Sequence, residues 1–146
     1  MNAKTTSELQ EILKHTDSES ELSDVLQDDK MIPEGMTFSD YFFSLPGVNE
    51  NTKADIVKRS GIDRTYAYQI LNNTRKNPSK DKVIALCLSA HTTLYQARRA
   101  LKISGCPDLY VRNKRDAIIT YAFHHHLKPQ DVNDLLNEFE EPLLGE

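Results

Sequence analysis

The stretch TKADIVKRSGIDRTYAYQILNNTRKNPS, residues 52–79, carries two short helical patterns separated by a single glycine. Thr52 is placed to N-cap the first, with Asp55 three positions on as the acid of a loose capping box. Ile56 and Val57 supply its apolar face. Ser60–Gly61 break it, because glycine tolerates the left-handed conformation of a tight helix end. Asp63 caps a second helix, Arg64 to Leu71, and NNTRKNPS follows as a polar loop. Two helices crossing at a sharp turn need small or apolar residues at the crossing, and Val57, Ile62, Ala67 and Ile70 meet that need. On the second helix Arg64, Thr65, Tyr68, Gln69 and Asn72 follow one another at spacings that set them on one polar stripe.

Working outward, Phe38, Tyr41, Phe42 and Leu45 recur with helical spacing until Pro46–Gly47 end the segment. Downstream, Ser79 caps a helix over Lys80 to Ala90, with Val83, Ile84, Leu86 and Cys87 facing inward. Thr93 and Gln96 form a capping box for Leu94 to Ile103, which Gly105 and Pro107 terminate. Arg112 to His124 carries Ile118, Ile119, Ala122 and Phe123 as an apolar stripe. Pro129 suits the first turn of a last helix, in which Val132, Leu135, Leu136 and Phe139 follow the i, i+3, i+4, i+7 rule. No stretch alternates with period two, so the expected fold class is all-α, an orthogonal helical bundle. Residues 1–35 form an acidic, weakly structured arm. Its two short helical patterns, Ser7 to Lys14 and Ser20 to Gln27, fall below the ~12–15 residues that make a helix even marginal alone in water.

The net charge of -4 hides an uneven distribution. Residues 1–50 hold 3 basic and 11 acidic side chains, and residues 116–146 hold 1 basic and 7 acidic. Between them, residues 51–115 hold 14 basic and 4 acidic, a local net charge of +10. A basic middle between acidic ends suits a domain that meets a polyanion through one face. The plain alternative is a solvated basic surface without a partner.

Residues 52–79 resemble the helix-turn-helix of the phage-repressor or XRE family of transcriptional regulators. The match rests on Lys53 opening the first helix, Val57 within it, Gly61 at the turn, Ile62 after it, Ile70 in the second helix, and the run Arg75–Lys76–Asn77–Pro78–Ser79. Val57 stands where the family usually has alanine, and Lys53 where it has glutamine. The resemblance covers residues 37–105, and Leu109 to Leu144 is similar to the C-terminal extension of a Firmicute-type subgroup. It implies a repressor-like helix-turn-helix domain over 36–105 and two appended helices over 106–146. Those two helices either complete the core or form a homodimer interface. It also implies double-stranded DNA as partner, with the second helix in the major groove. Arg64, Thr65, Tyr68, Gln69 and Asn72 then meet base edges, Arg64 pairing with guanine and Gln69 with adenine, while Thr65 and Tyr68 contact a thymine methyl or else a phosphate. Thr52, Lys53, Thr74, Arg75 and Lys76 meet the phosphate backbone. No cofactor and no small-molecule ligand are implied.

A helix-turn-helix also occurs as a plain structural corner, in which Tyr66 and Tyr68 would be packing residues. The rival function is a protein-interaction adaptor that keeps the fold without specific DNA binding; the acidic arm favours it. One hypothesis joins the two readings: residues 17–34, acidic beside a basic domain, compete with DNA for the basic face. Deleting residues 1–35 is then expected to tighten DNA binding, more so at low salt. Equal affinity with and without the arm, in a titration at two salt concentrations, removes that idea.

Other chemistry finds little support. His124–His125–His126 are adjacent, so on a helix they point about 100° apart and do not share a face as metal ligands would. Histidines at a helix C-terminus, favoured by the helix dipole, are the simpler reading. Cys87 lies in the apolar run VIALCLSA as a core thiol, and Cys106 completes no metal spacing. There is no GxSxG, Walker loop or HExxH, so the expectation is not an enzyme. No run approaches the roughly 20 apolar residues of a membrane span, and MNAKTTSELQEILKH has no signal-peptide core. A cytoplasmic location follows as the default.

Overall fold

The computed structural model of the chain describes residues 35–145. The acidic arm, its two helical patterns and the segment proposed to compete with DNA lie outside these residues. From Thr37 onward the described chain forms one compact unit. It is built of α1 (Phe38–Phe42), α2 (Lys53–Ser60), α3 (Arg64–Leu71), α4 (Lys80–Ser89), α5 (Leu94–Ile103), α6 (Lys114–His124) and α7 (Pro129–Glu138). Among the described residues there is no strand, and no helix is long and apolar enough to cross a membrane.

Helix α4 is the axis of the bundle. Every residue from Val83 to Ser89 is buried, and a helix apolar on all sides belongs in the middle of its neighbours. It packs against α2, α5 and α7. The one polar side chain in that run, Ser89, is satisfied because its hydroxyl donates to the Ala85 carbonyl at 2.7 Å. The inward face expected of this helix is therefore only part of what is covered. Cys87 sits here, and burial pushes its thiol up to about 12, against a smaller opposing effect of the Thr92 hydroxyl. It stays a neutral core thiol.

The helix ends follow a common device. In the Schellman motif the residue just past the C-cap is left-handed, and two N–H groups reach back to the last turn. At the end of α3, Asn73 is left-handed (φ 68°), while Thr74 N–H donates to the Gln69 carbonyl and Asn73 N–H to that of Ile70. The same pair of bonds closes α4, α5, α6 and α7, around His91, Gly105, His126 and Glu140. Only one of these five positions is glycine, although a side chain there costs roughly 1–2 kcal/mol. Glu140 is also an exposed acid at the negative end of the α7 dipole. Glu140→Gly is therefore expected to stabilise the fold by about 1 kcal/mol. Urea unfolding checks this, and an unchanged or lower midpoint would show that the left-handed position carries no strain.

Several sequence expectations at helix ends need correction. Thr52 does not N-cap α2 with its side chain. Asn49 does the capping three residues earlier: its Oδ1 accepts from the Asn51 and Thr52 N–H groups, and its own N–H donates to Thr52 Oγ1 at 3.0 Å. Ser79 holds the N-cap position of α4 but its hydroxyl makes no capping bond. Helix α6 begins at Lys114 rather than Arg112, because the Asn113 side chain accepts from Asp116 N–H. Phe139, expected on the buried stripe of the last helix, is instead the C-cap of α7 and 47% exposed. The Thr93–Gln96 capping box and the Asp63 cap, accepting from Tyr66 N–H, are present as expected.

Helix α7 packs on α2, α4 and α6, with Val132 and Leu136 fully buried. One of its faces thus completes the core behind α2. Arg115 of α6 adds a tie: its guanidinium grips both Asp81 oxygens at 2.9 and 2.8 Å and donates to the carbonyls of Pro142 and Leu143. What α7 and α6 leave outward is a groove of about 500 Å³, lined by Lys114, Ala117, Ile118, Tyr121, Leu135, Glu138 and Phe139.

Candidate nucleic-acid interface

Helices α2 and α3 are eight residues each and are joined by Gly61–Ile62–Asp63, with Gly61 at φ 74° as the left-handed C-cap of α2. Val57, Ile62, Ala67 and Ile70 are all buried where the two helices meet. Two further bonds hold the pair against the rest. Arg59 of α2 donates from Nε and Nη2 to the Ser89 carbonyl, at 3.1 and 2.7 Å, placing a cation at the negative end of α4. The Ser39 hydroxyl of α1 donates to the Leu71 carbonyl at the end of α3, at 2.7 Å.

With Ala67, Ile70 and Leu71 buried, the opposite side of α3 is turned to solvent. Arg64, Thr65 and Asn72 are exposed there, and Tyr68 and Gln69 are half-buried. At 100° per residue these five side chains span a stripe of about 140°. Lys53 comes to the stripe from α2: its Nζ donates to Asn72 Oδ1 at 2.8 Å and stands 5.4 Å from the Tyr68 ring centroid. The Arg64 guanidinium lies 5.6 Å from the same ring. At the far end of α3 the chain folds back, so that Arg75 Nε donates to Gln69 Oε1 at 2.7 Å while its guanidinium lies 4.4 Å from the Tyr66 ring. Thr74 and Lys76 are exposed in the same loop.

Of the site residues read from the sequence, the five at positions 64–72 share one stripe and Lys53 and Arg75 contact it; Thr74 and Lys76 are exposed in the following loop, and Thr52 is engaged elsewhere. Its hydroxyl donates to the Gly47 carbonyl at 2.7 Å, closing the turn before α2. Two contributors escaped the sequence reading, Tyr66 and Lys82. Lys82 Nζ lies 4.9 Å from the Tyr66 ring that Arg75 also meets, so one tyrosine holds two cations by its π-face. A signal existed for Lys82. It is a cation in the first turn of α4, where the dipole disfavours positive charge, and so it answers to something outside its own helix.

The local charge of +10 overstated what is available to a polyanion. Lys80 pairs with Asp116 at 3.1 Å, Arg98 with Asp108 at 2.7 Å and Arg115 with Asp81 at 2.8 Å. Lys114 donates to the Phe139 carbonyl. The cations left around α3 are Lys53, Arg64, Arg75, Lys76 and Lys82, facing Asp63, which caps α3, and Glu50, 3.9 Å from Lys53.

Elsewhere, His124, His125 and His126 are exposed at the end of α6, with the His125 ring 4.1 Å from that of Tyr121. Among the described residues no group of three His, Cys, Asp or Glu side chains is arranged to hold a metal ion. No family model matches the chain, and no curated protein or solved structure matches it.

Proposed function

We propose that the protein is a sequence-specific DNA-binding transcriptional regulator in which α2, the Gly61 turn and α3 act as a helix-turn-helix. The observation that carries this reading is the surface of α3. A stripe of Arg64, Thr65, Tyr68, Gln69 and Asn72 faces outward, cations from α2 and the following loop bond to it, and Lys82 at the start of α4 meets the neighbouring Tyr66. Such a stripe fits the major groove, where side chains near the N-terminus of a recognition helix reach base edges. The flanking cations would neutralise phosphates and make binding salt-dependent. The testing experiment is selection of genomic fragments over a salt titration, followed by sequencing. A common retained motif supports the regulator. Weak binding that vanishes at physiological salt, with no motif, favours the protein-interaction adaptor.

We further infer that the protein acts as a homodimer through the α6–α7 groove. Tyr121 and Phe139 are 51% and 47% exposed at this surface, which is otherwise lined mainly by apolar side chains. A two-fold partner would bury the same apolar surface on both copies, with every contact made twice. Tyr121→Asp is expected to give a folded monomer in sedimentation and to abolish two-fold symmetry in the selected motif. A wild type that sediments as a monomer at high micromolar concentration would remove the inference.

A further inference from the structure

Resting on the DNA-binding reading, we propose that Arg75 sets which base Gln69 reads, and that the base is guanine rather than the adenine expected from the sequence. The Schellman turn at Asn73 brings the backbone N–H groups of both Thr74 and Arg75 onto the Gln69 carbonyl, at 2.8 and 3.0 Å. The Arg75 side chain is thereby returned along the face of α3 to the Gln69 amide, where Nε donates to Oε1 at 2.7 Å. Tyr66 backs the guanidinium at 4.4 Å.

The direction of that bond follows from the chemistry of the partner. A guanidinium carries donors only, so the amide atom facing Arg75 is the oxygen, and the amide nitrogen is turned away. Reading adenine in the two-pronged manner requires the glutamine oxygen to accept from the N6 amino group while the nitrogen donates to N7. Arg75 takes one of the two lone pairs of Oε1 and sets a cation beside the other, which disfavours the approach of the adenine N6 amino group, while Nε2 keeps two N–H donors. The terminal nitrogens of Arg75 add further donors beside it. A surface of donors alone matches guanine, which presents the acceptors O6 and N7 in the major groove. Arg75 is therefore a positioning residue for base reading as well as a phosphate ligand.

Selection on random duplexes with the full-length wild type, Arg75→Ala, Arg75→Lys and Gln69→Ala tests this. Gln69→Ala identifies the position that Gln69 reads. The wild type is expected to hold guanine there. Arg75→Ala, which frees Oε1, should shift that position towards adenine by about tenfold in relative preference and leave the other positions unchanged. Arg75→Lys keeps a donor and the charge and should keep guanine. Adenine at that position in the wild type overturns the proposal. So does a uniform loss of affinity in Arg75→Ala with the motif intact, which would make Arg75 a phosphate contact only. A wild type that selects no motif would strike the DNA-binding reading itself, and this inference with it.

Discussion

Arg115→Ala is expected to lower the unfolding free energy by about 3 kcal/mol, the low end of what breaking a buried ion pair costs. The side chain is 17% exposed and its partner Asp81 19%, so solvent screens the pair only in part. Four hydrogen bonds are lost at once: two to Asp81 and one each to the carbonyls of Pro142 and Leu143. Asp81 would keep its charge without the cation that offsets it. The tail would lose its anchor as well, and with it the placement of Leu144, which is buried and whose N–H donates to Asn133 Oδ1 at 2.7 Å. Arg98→Ala is the control. Its contact to Asp108 is as short, at 2.7 Å, but the two side chains are 38% and 53% exposed, and such pairs contribute about 0–1 kcal/mol. Urea unfolding with unchanged slope distinguishes the two. Similar losses for Arg115→Ala and Arg98→Ala would mean that burial does not decide the worth of these pairs.

The contrast also marks how far the sequence could be read. Local signals were legible because their partners lie within a turn of one another. The Thr93–Gln96 box, the Asp63 cap, the Gly61 turn and the full spans of α3 and α5 all belong to this kind. The Thr52 cap failed narrowly, since Asn49 offers a competing side chain with the same chemistry three residues away. The left-handed ends at Asn73, His91, His126 and Glu140 were hidden because none is glycine; each is closed by the same pair of backbone hydrogen bonds, which any residue with a backbone N–H can make. The ion pairs were hidden for a different reason. Asp81 and Arg115 are 34 residues apart, and Lys80 and Asp116 36 apart, so a count of charges along the chain assigned to a partner what the fold uses internally. On the candidate site, helical periodicity alone put the five polar residues of α3 on one stripe. Tyr66 and Lys82 were missed because they meet only after the loop between α3 and α4 closes.

The second large effect concerns recognition, and its form matters more than its size. On the proposed DNA-binding reading, Arg64→Ala is expected to relax base preference at one position by about 1–3 kcal/mol, or roughly 5–150-fold, since a two-pronged arginine–guanine pair discriminates by that amount. Arg64 is exposed at the first position of α3 and rests against Tyr68, so its removal takes little packing with it. Lys76→Ala should behave differently. Lys76 is exposed in the loop after α3, and on the proposed reading it meets phosphate, a contact that carries no sequence information. Its loss should weaken matched and scrambled duplexes alike and reduce the slope of log affinity against log salt by about 0.9, one released counterion. The two variants therefore separate on two axes, preference and salt dependence, that a general loss of stability would move together. If Arg64→Ala, Gln69→Ala and Lys76→Ala lose affinity equally on matched and scrambled DNA, α3 does not read bases, and the polar stripe serves the backbone or another partner.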